Sequence, residues 1–254
     1  MKAQQTYLRI FWLIICLPLF VVFLPQAIYV KRTTLRLPEA AGQRFKLVNA
    51  NNPLRLIHVG ESTVAGVGVD SIEKGFTANL ALAISELKQR PISWALFGEN
   101  GIRIKGLNQV LPSELQNLDR QTKKEKGTSR YDLAVVTMGV NDSTKFTSIK
   151  QWKKSLKENV EILRAVTDGP IYFTQVPPLA QFPALPSPLK NLLGIRSQIL
   201  DNELKQFCEL QLNVYYIGSE MQVGEGMMAI DGYHPSELGY QRWAQTIAAQ
   251  ITHL

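Results

Sequence analysis

Five short apolar runs recur along the chain: Leu54–Val59, Ile92–Phe97, Leu133–Met138, Ile171–Val176 and Leu212–Ile217. Each is short for a helix and ends at turn-forming residues, so each reads as a buried strand. Apolar residues spaced by three or four lie between and after them: Phe76, Leu80, Ile84 and Leu87; then Trp152, Leu156, Val160 and Leu163. Leu192, Ile195, Ile199, Leu204 and Phe207 make a third such series, and Tyr240, Trp243, Ala244, Ile247, Ala248 and Ile251 the last. Ser148 and Gln151 form a capping-box pattern ahead of the second series. Strands alternating with helices predict an α/β domain whose parallel sheet carries helices on both faces. The charge-rich stretch Asp119–Arg130 reads as a solvated surface loop.

The 254 residues allow one such domain, expected over residues 54–254, plus an appendage. Ile10–Val30 is almost purely apolar, with Gln26 its one strongly polar residue. A run of about 20 such residues suffices to cross a bilayer, and its end shows no clear small-x-small cleavage site. Residues 1–30 are therefore expected to form a transmembrane anchor, and residues 31–53 a basic juxtamembrane tether. Basic residues flank the run on both sides, so orientation is nearly balanced; the globular body is expected on the outer side of a bacterial inner membrane. The formal charge of +7 is local to this region. Residues 1–46 hold seven Lys and Arg against one acid, Glu39, leaving 21 basic and 20 acidic residues elsewhere. Nucleic acid is therefore not an expected partner. Lys150, Lys153, Lys154 and Lys157 make a basic helix face, expected to be solvated. Two cysteines, Cys16 and Cys208, and three histidines offer no Cys/His metal cage, and no cofactor is expected.

Chemistry-bearing residues gather where the strands end. Gly60-Glu61-Ser62 puts a serine on a tight turn after the first strand, and Gly98 to Gly101 follow the second. Gly139-Val140-Asn141-Asp142 follows the third, and Asp231-Gly232-Tyr233-His234 precedes the last helix. Taken singly, each has a plainer reading as a turn or helix cap. Parallel strands bring their carboxyl ends to one crevice, so together these loops can assemble a site. Its parts suit acyl transfer: a serine attacks, a histidine takes its proton, and a carboxylate orients the histidine. A glycine N–H and an asparagine amide can bind the developing oxyanion. Of the three histidines, His58 sits inside a strand and His253 beside the terminus. His234 is left as the candidate base.

These four blocks, in this order, resemble the SGNH subgroup of GDSL-type serine esterases and lipases, over roughly Leu54 to the C-terminus. The resemblance implies a flavodoxin-like three-layer αβα sandwich with a five-stranded parallel sheet, and cofactor-independent hydrolysis of acyl esters or thioesters. It implies Ser62, His234 and Asp231 as the catalytic residues. The Ser62 amide, Gly101 and Asn141 would form the oxyanion hole. Two departures stand out. Glu61 replaces the family's usual aspartate, and Arg103 lies where a small hydroxyl residue is common and is expected to point to solvent. The leading expectation is a membrane-anchored serine esterase acting on lipid-like or small acyl esters. The alternatives are an O-acetyl esterase of envelope polysaccharide and a catalytically silent envelope protein. The proline-rich Val176–Leu189 is expected to shape the pocket.

Overall fold

A computed structural model describes residues 7, 9–12, 14, 17–126, 130–218 and 223–253. All five apolar runs form strands: β2 (Leu54–Gly60), β3 (Ile92–Gly98), β4 (Leu133–Thr137), β5 (Ile171–Thr174) and β6 (Val214–Ile217). They pair in parallel in the order β3-β2-β4-β5-β6, as the α/β pattern requires. The order reverses on either side of β2, and that switch point is where open α/β sheets open a crevice beyond their strand ends.

The sheet is nevertheless not the purely parallel five-stranded one expected. A sixth strand, β1 (Phe45–Lys46), pairs antiparallel to β3 at the edge, making the sheet mixed. Two residues are too few to display a period, so the strand is silent in the sequence. It lies in the stretch expected to be a tether, and neighbouring residues are also tied to the body. Ala40 N–H donates to Ala65 O (3.1 Å), Ala41 N–H to Asp70 O (3.1 Å) and Ile72 N–H to Ala41 O (2.9 Å).

Both faces of the sheet are apolar, and strand periodicity divides them. Leu54, Leu56, Leu133 and Val135 face α2 (Phe76–Lys88) and α7 (Glu237–Ala248), where Phe76 stacks on Trp243 with centroids 4.2 Å apart. Ile57, Val59, Ala134 and Val136 face α3 (Ile104–Lys126), α5 (Ile149–Arg164) and α6 (Leu189–Glu209). A five-residue helix, α4 (Val140–Thr144), follows β4 directly. The Asp119–Arg130 expectation is corrected in part, because α3 continues through Lys126; charged residues can equally coat an exposed helix. The basic face of α5 is largely charge-paired, with Lys153 on Glu203 (2.7 Å) and Lys154 on Glu158 (3.6 Å).

The N-terminal expectation also needs correction. Residues 13, 15 and 16 of the Ile10–Val30 run, and Cys16 with them, lie outside the described residues. Among the described residues no helix is long and apolar enough to cross a membrane. The helix present, α1 (Leu17–Thr33), has 17 residues, so it spans about 25 Å. The hydrocarbon core of a bilayer is about 30 Å thick. One side of this segment packs on the body instead. Trp12 is buried with Leu192 and Ile199 of α6, under the Arg196 guanidinium, and Arg9 pairs with the buried Glu203 carboxylate. Other apolar residues, among them Ile10, Phe11, Ile14, Leu24, Ile28 and Tyr29, remain exposed.

Candidate active site

The chain leaves β2 under tight steric control. A Cβ on Gly60 would lie 2.3 Å from Thr137 O and 2.6 Å from the Val64 side chain, so only glycine lets the two strand ends approach. A helix-like turn follows at once, with Val64 and Ala65 both donating to Glu61 O (3.0 and 3.1 Å). The amides of Ser62 and Thr63 precede those bonds, as the first amides of a helix do. Ser62 is 6% exposed.

The Ser62 hydroxyl lies 2.8 Å from His234 Nε2, and His234 Nδ1 lies 2.6 Å from Asp231 Oδ2. An ionised carboxylate can only accept, so Nδ1 carries the proton and Nε2 is left to accept from the serine. Asp231 Oδ1 also accepts the amides of Tyr233 (2.9 Å) and His234 (3.0 Å), closing the Asp-x-x-His turn on itself. Burial alone would raise the Asp231 carboxyl. The bonds from His234 and the Tyr233 amide outweigh it and hold the carboxyl below its ordinary value.

After β4, Gly139 takes φ +127°, and a Cβ there would meet the Val176 side chain at 2.7 Å. This bend presents Val140 and Asn141 to Glu61. The Glu61 carboxylate accepts Val140 N–H (2.9 Å), Asn141 N–H (3.0 Å) and the Asn141 side-chain amide (2.6 Å). The residue that reads as a misfit beside Ser62 thus clamps the first block to the third. It also fixes which end of the Asn141 amide faces inward. One N–H of Asn141 Nδ2 is engaged by Glu61; a primary amide has a second, and Asn141 lines the cleft. Burial pushes the Glu61 carboxyl up to about 7, although the Asn141 and Val140 hydrogen bonds pull the other way. Next to it, Asp142 Oδ2 accepts Ile104 N–H (3.0 Å) and so anchors the start of α3.

Gly101 also lines the cleft, at φ +80°. Its loop is held from a direction that the block pattern does not reveal. Glu39 Oε1 accepts Asn100 N–H (2.7 Å), and Arg44 bridges Glu39 (2.8 Å) and Gly98 O (3.2 Å). The sequence signal for this was slight: Glu39 is the sole acid in a basic N-terminal segment. Lys145 Nζ donates to Gly101 O (2.5 Å) from the far side. Arg103 is exposed.

Ser62, Gly101, Asn141, Asp231 and His234 are therefore brought together. The other histidines lie elsewhere. His58 is buried between Thr77 and Thr137 hydroxyls, 2.9 Å from each, and burial lowers its pKa to about 3. His253 stacks on Tyr215, and its backbone exchanges hydrogen bonds with the Tyr172 hydroxyl, so the chain end is tied down here and not frayed. Among the described residues no group of three or more His, Cys, Asp or Glu could hold a metal ion.

The model of the GDSL-like lipase/acylhydrolase family matches residues 58–242. The chain belongs to that family. All four blocks fall within the GDSL-like match, whereas α1, β1, Glu39 and Arg44 precede it. No curated protein sequence matches the chain. Among solved structures, a lipase from a goat rumen metagenome superposes with TM-score 0.57 at 18% identity, covering 77% of this chain and 96% of its own. A lipolytic G-D-S-L protein from Veillonella parvula gives TM-score 0.57 at 16% identity, covering 79% and 100%. A Clostridium thermocellum family 3 carbohydrate esterase gives 0.56 at 13%, covering 77% and 93%. At such identities the likeness is one of fold.

Proposed function

We propose that this chain is a serine hydrolase of carboxylic esters, in which Ser62 attacks, His234 is general base and then general acid, and Asp231 holds the imidazole. The observation that carries this is the unbroken hydrogen-bonded line from Ser62 Oγ through both His234 nitrogens to Asp231, with bonds of 2.8 and 2.6 Å. Attack on the ester carbonyl transfers the serine proton to Nε2. The tetrahedral oxyanion is received by the Ser62 amide, the Gly101 amide and the free N–H of Asn141. Collapse expels the alcohol with the proton from His234, and water repeats the sequence on the acyl-enzyme. Relatives described as lipases and as carbohydrate esterases leave the acyl group open. The leucine-rich cleft favours a lipid-like ester over an O-acetylated polysaccharide. We further place the protein at a membrane, held through the apolar residues that its N-terminal segment leaves exposed.

A fluorophosphonate probe tests the chemistry, since it labels only an activated serine. Wild type should be labelled and Ser62→Ala should not, with ester turnover reduced roughly 10³-fold or more. His234→Ala should lose about as much, and the double variant little beyond either. Full turnover in Ser62→Ala would refute the assignment.

A further inference from the structure

The family match begins at His58, yet part of the wall of the reaction cleft comes from before it. Ala27 and Val30 of α1, with Leu35 and Leu37 after it, line the cleft together with Leu185, Leu189 and Leu193, the last two from α6. His234, Asn141 and Gly101 lie in the same cleft, whose volume is about 710 Å³. That is within the range of roughly 300–1,000 Å³ usual for small-molecule sites. Far less would house an acetyl group.

The wall is fastened where it meets the trough. Gln26, the single strongly polar residue of the apolar run, donates from Nε2 to Ser187 O (3.0 Å) and accepts Leu189 N–H at Oε1 (3.3 Å). Both bonds reach backbone at the head of α6, directly beside the lining leucines. Ala27 and Val30, one and four residues on, are thereby held in the same trough lining as Leu189 and Leu193. A helix that served only to cross a bilayer would have no use for this bridge.

We propose that the trough between α1 and α6 holds the acyl chain of a medium- or long-chain ester, making the N-terminal helix a specificity-determining part of the substrate site. The proposal rests on Ser62 being the nucleophile. Of the two halves of an ester, the alcohol departs after the first step, whereas the acyl half stays bonded to Ser62 until water releases it. A largely apolar trough suits the half that must be retained. Each methylene taken from water is worth roughly a four-fold gain in kcat/KM until the trough is full.

The test uses the full chain and p-nitrophenyl acetate, butyrate and octanoate, so that only the acyl half varies. Wild type should prefer octanoate over acetate by about a hundred-fold or more. Ala27→Trp and Leu189→Trp fill the trough from α1 and α6 respectively, and each should lower the octanoate-to-acetate ratio of kcat/KM at least ten-fold. Labelling by a methyl fluorophosphonate checks that each variant keeps a folded site. If Ala27→Trp fails to fold, Val30→Phe reads the same wall. Preference of wild type for acetate, or an unchanged ratio in labelled variants, overturns the proposal. So does sensitivity of the variants to alkyl length in acetate esters alone, which would give the trough to the alcohol. Failure of the underlying reading looks different: no ester of any length is cleaved and Ser62 is not labelled.

Discussion

Glu61 concentrates the site's electrostatics. Its carboxylate faces three N–H donors from Val140 and Asn141, with the Asp142 carboxyl close enough to raise it further. Only the ionised form accepts from all three, because protonation turns one oxygen into a donor. Burial lifts this carboxyl from its usual 4.5 to about 7, so its loss of charge falls near neutral pH. Activity should therefore decline as pH falls through about 7 and Glu61 takes up its proton. Stability should move the other way. The folded carboxyl holds its proton where the unfolded one has lost it, so its contribution is greatest below about 4.5 and is lost as pH rises through about 7. Glu61→Gln should lower kcat roughly ten- to hundred-fold, the value of a lost hydrogen bond to a charged group. It should also remove the fall in stability between pH 5 and 8 seen in wild type by urea unfolding. An unchanged pH slope in Glu61→Gln would assign the titration to another group. None of this was legible from the residue type alone, since the partners of Glu61 lie about eighty positions along the chain. His58 was legible, because a histidine inside an apolar strand has to be neutral and satisfied.

Elements repeat the lesson in a different form. The five parallel strands could be read because each is an apolar run closed by turn residues. The two-residue β1 and the charged end of α3 carry no such pattern, and β1 is decided by its pairing with β3. The link between α3 and the short helix α4 is of that kind. Asp142, fully buried, supplies from α4 the acceptor that the first turn of α3 needs at Ile104. Burial raises its carboxyl, and the Ile104 amide, the Thr147 hydroxyl and the nearby Arg103 and Lys145 charges draw it back. Asp142→Ala leaves that amide unpaired inside the protein, at a cost of about 1–3 kcal/mol. For a domain of this size each kcal/mol lowers Tm by about 2–4 °C. Asp142→Asn keeps an acceptor oxygen and should lose less than half as much. Thermal melts of the two variants measure the difference, and equal losses would mean that the charge, not the cap, matters.

At the scale of the whole molecule, the N-terminal segment joins the reaction site to whatever surrounds the protein. Its apolar character suggested a spanning anchor, and the structure divides that character between two faces. Ala27 and Val30 line the cleft and Trp12 is packed on α6, whereas Ile10, Phe11, Ile14, Leu24, Ile28 and Tyr29 stay exposed beside Arg32 and Arg36. Apolar residues bordered by cations are what a helix lying in a bilayer interface presents, with its apolar side sunk below the headgroups. A protein held in this way keeps α1, which lines the cleft, at the lipid surface. Two forces would then act together, and they respond differently to salt: screening weakens the arginines, while burial of the apolar face is untouched. The full-length protein should therefore remain with the membrane fraction in high salt and leave it only with detergent. Ile28→Lys with Tyr29→Lys places two charges on the exposed face and none in the cleft. It should move the protein to the soluble fraction while fluorophosphonate labelling of Ser62 persists. Retention of that variant on the membrane would assign the attachment to other residues, and recovery of the wild type in the soluble fraction without detergent would remove the membrane proposal altogether.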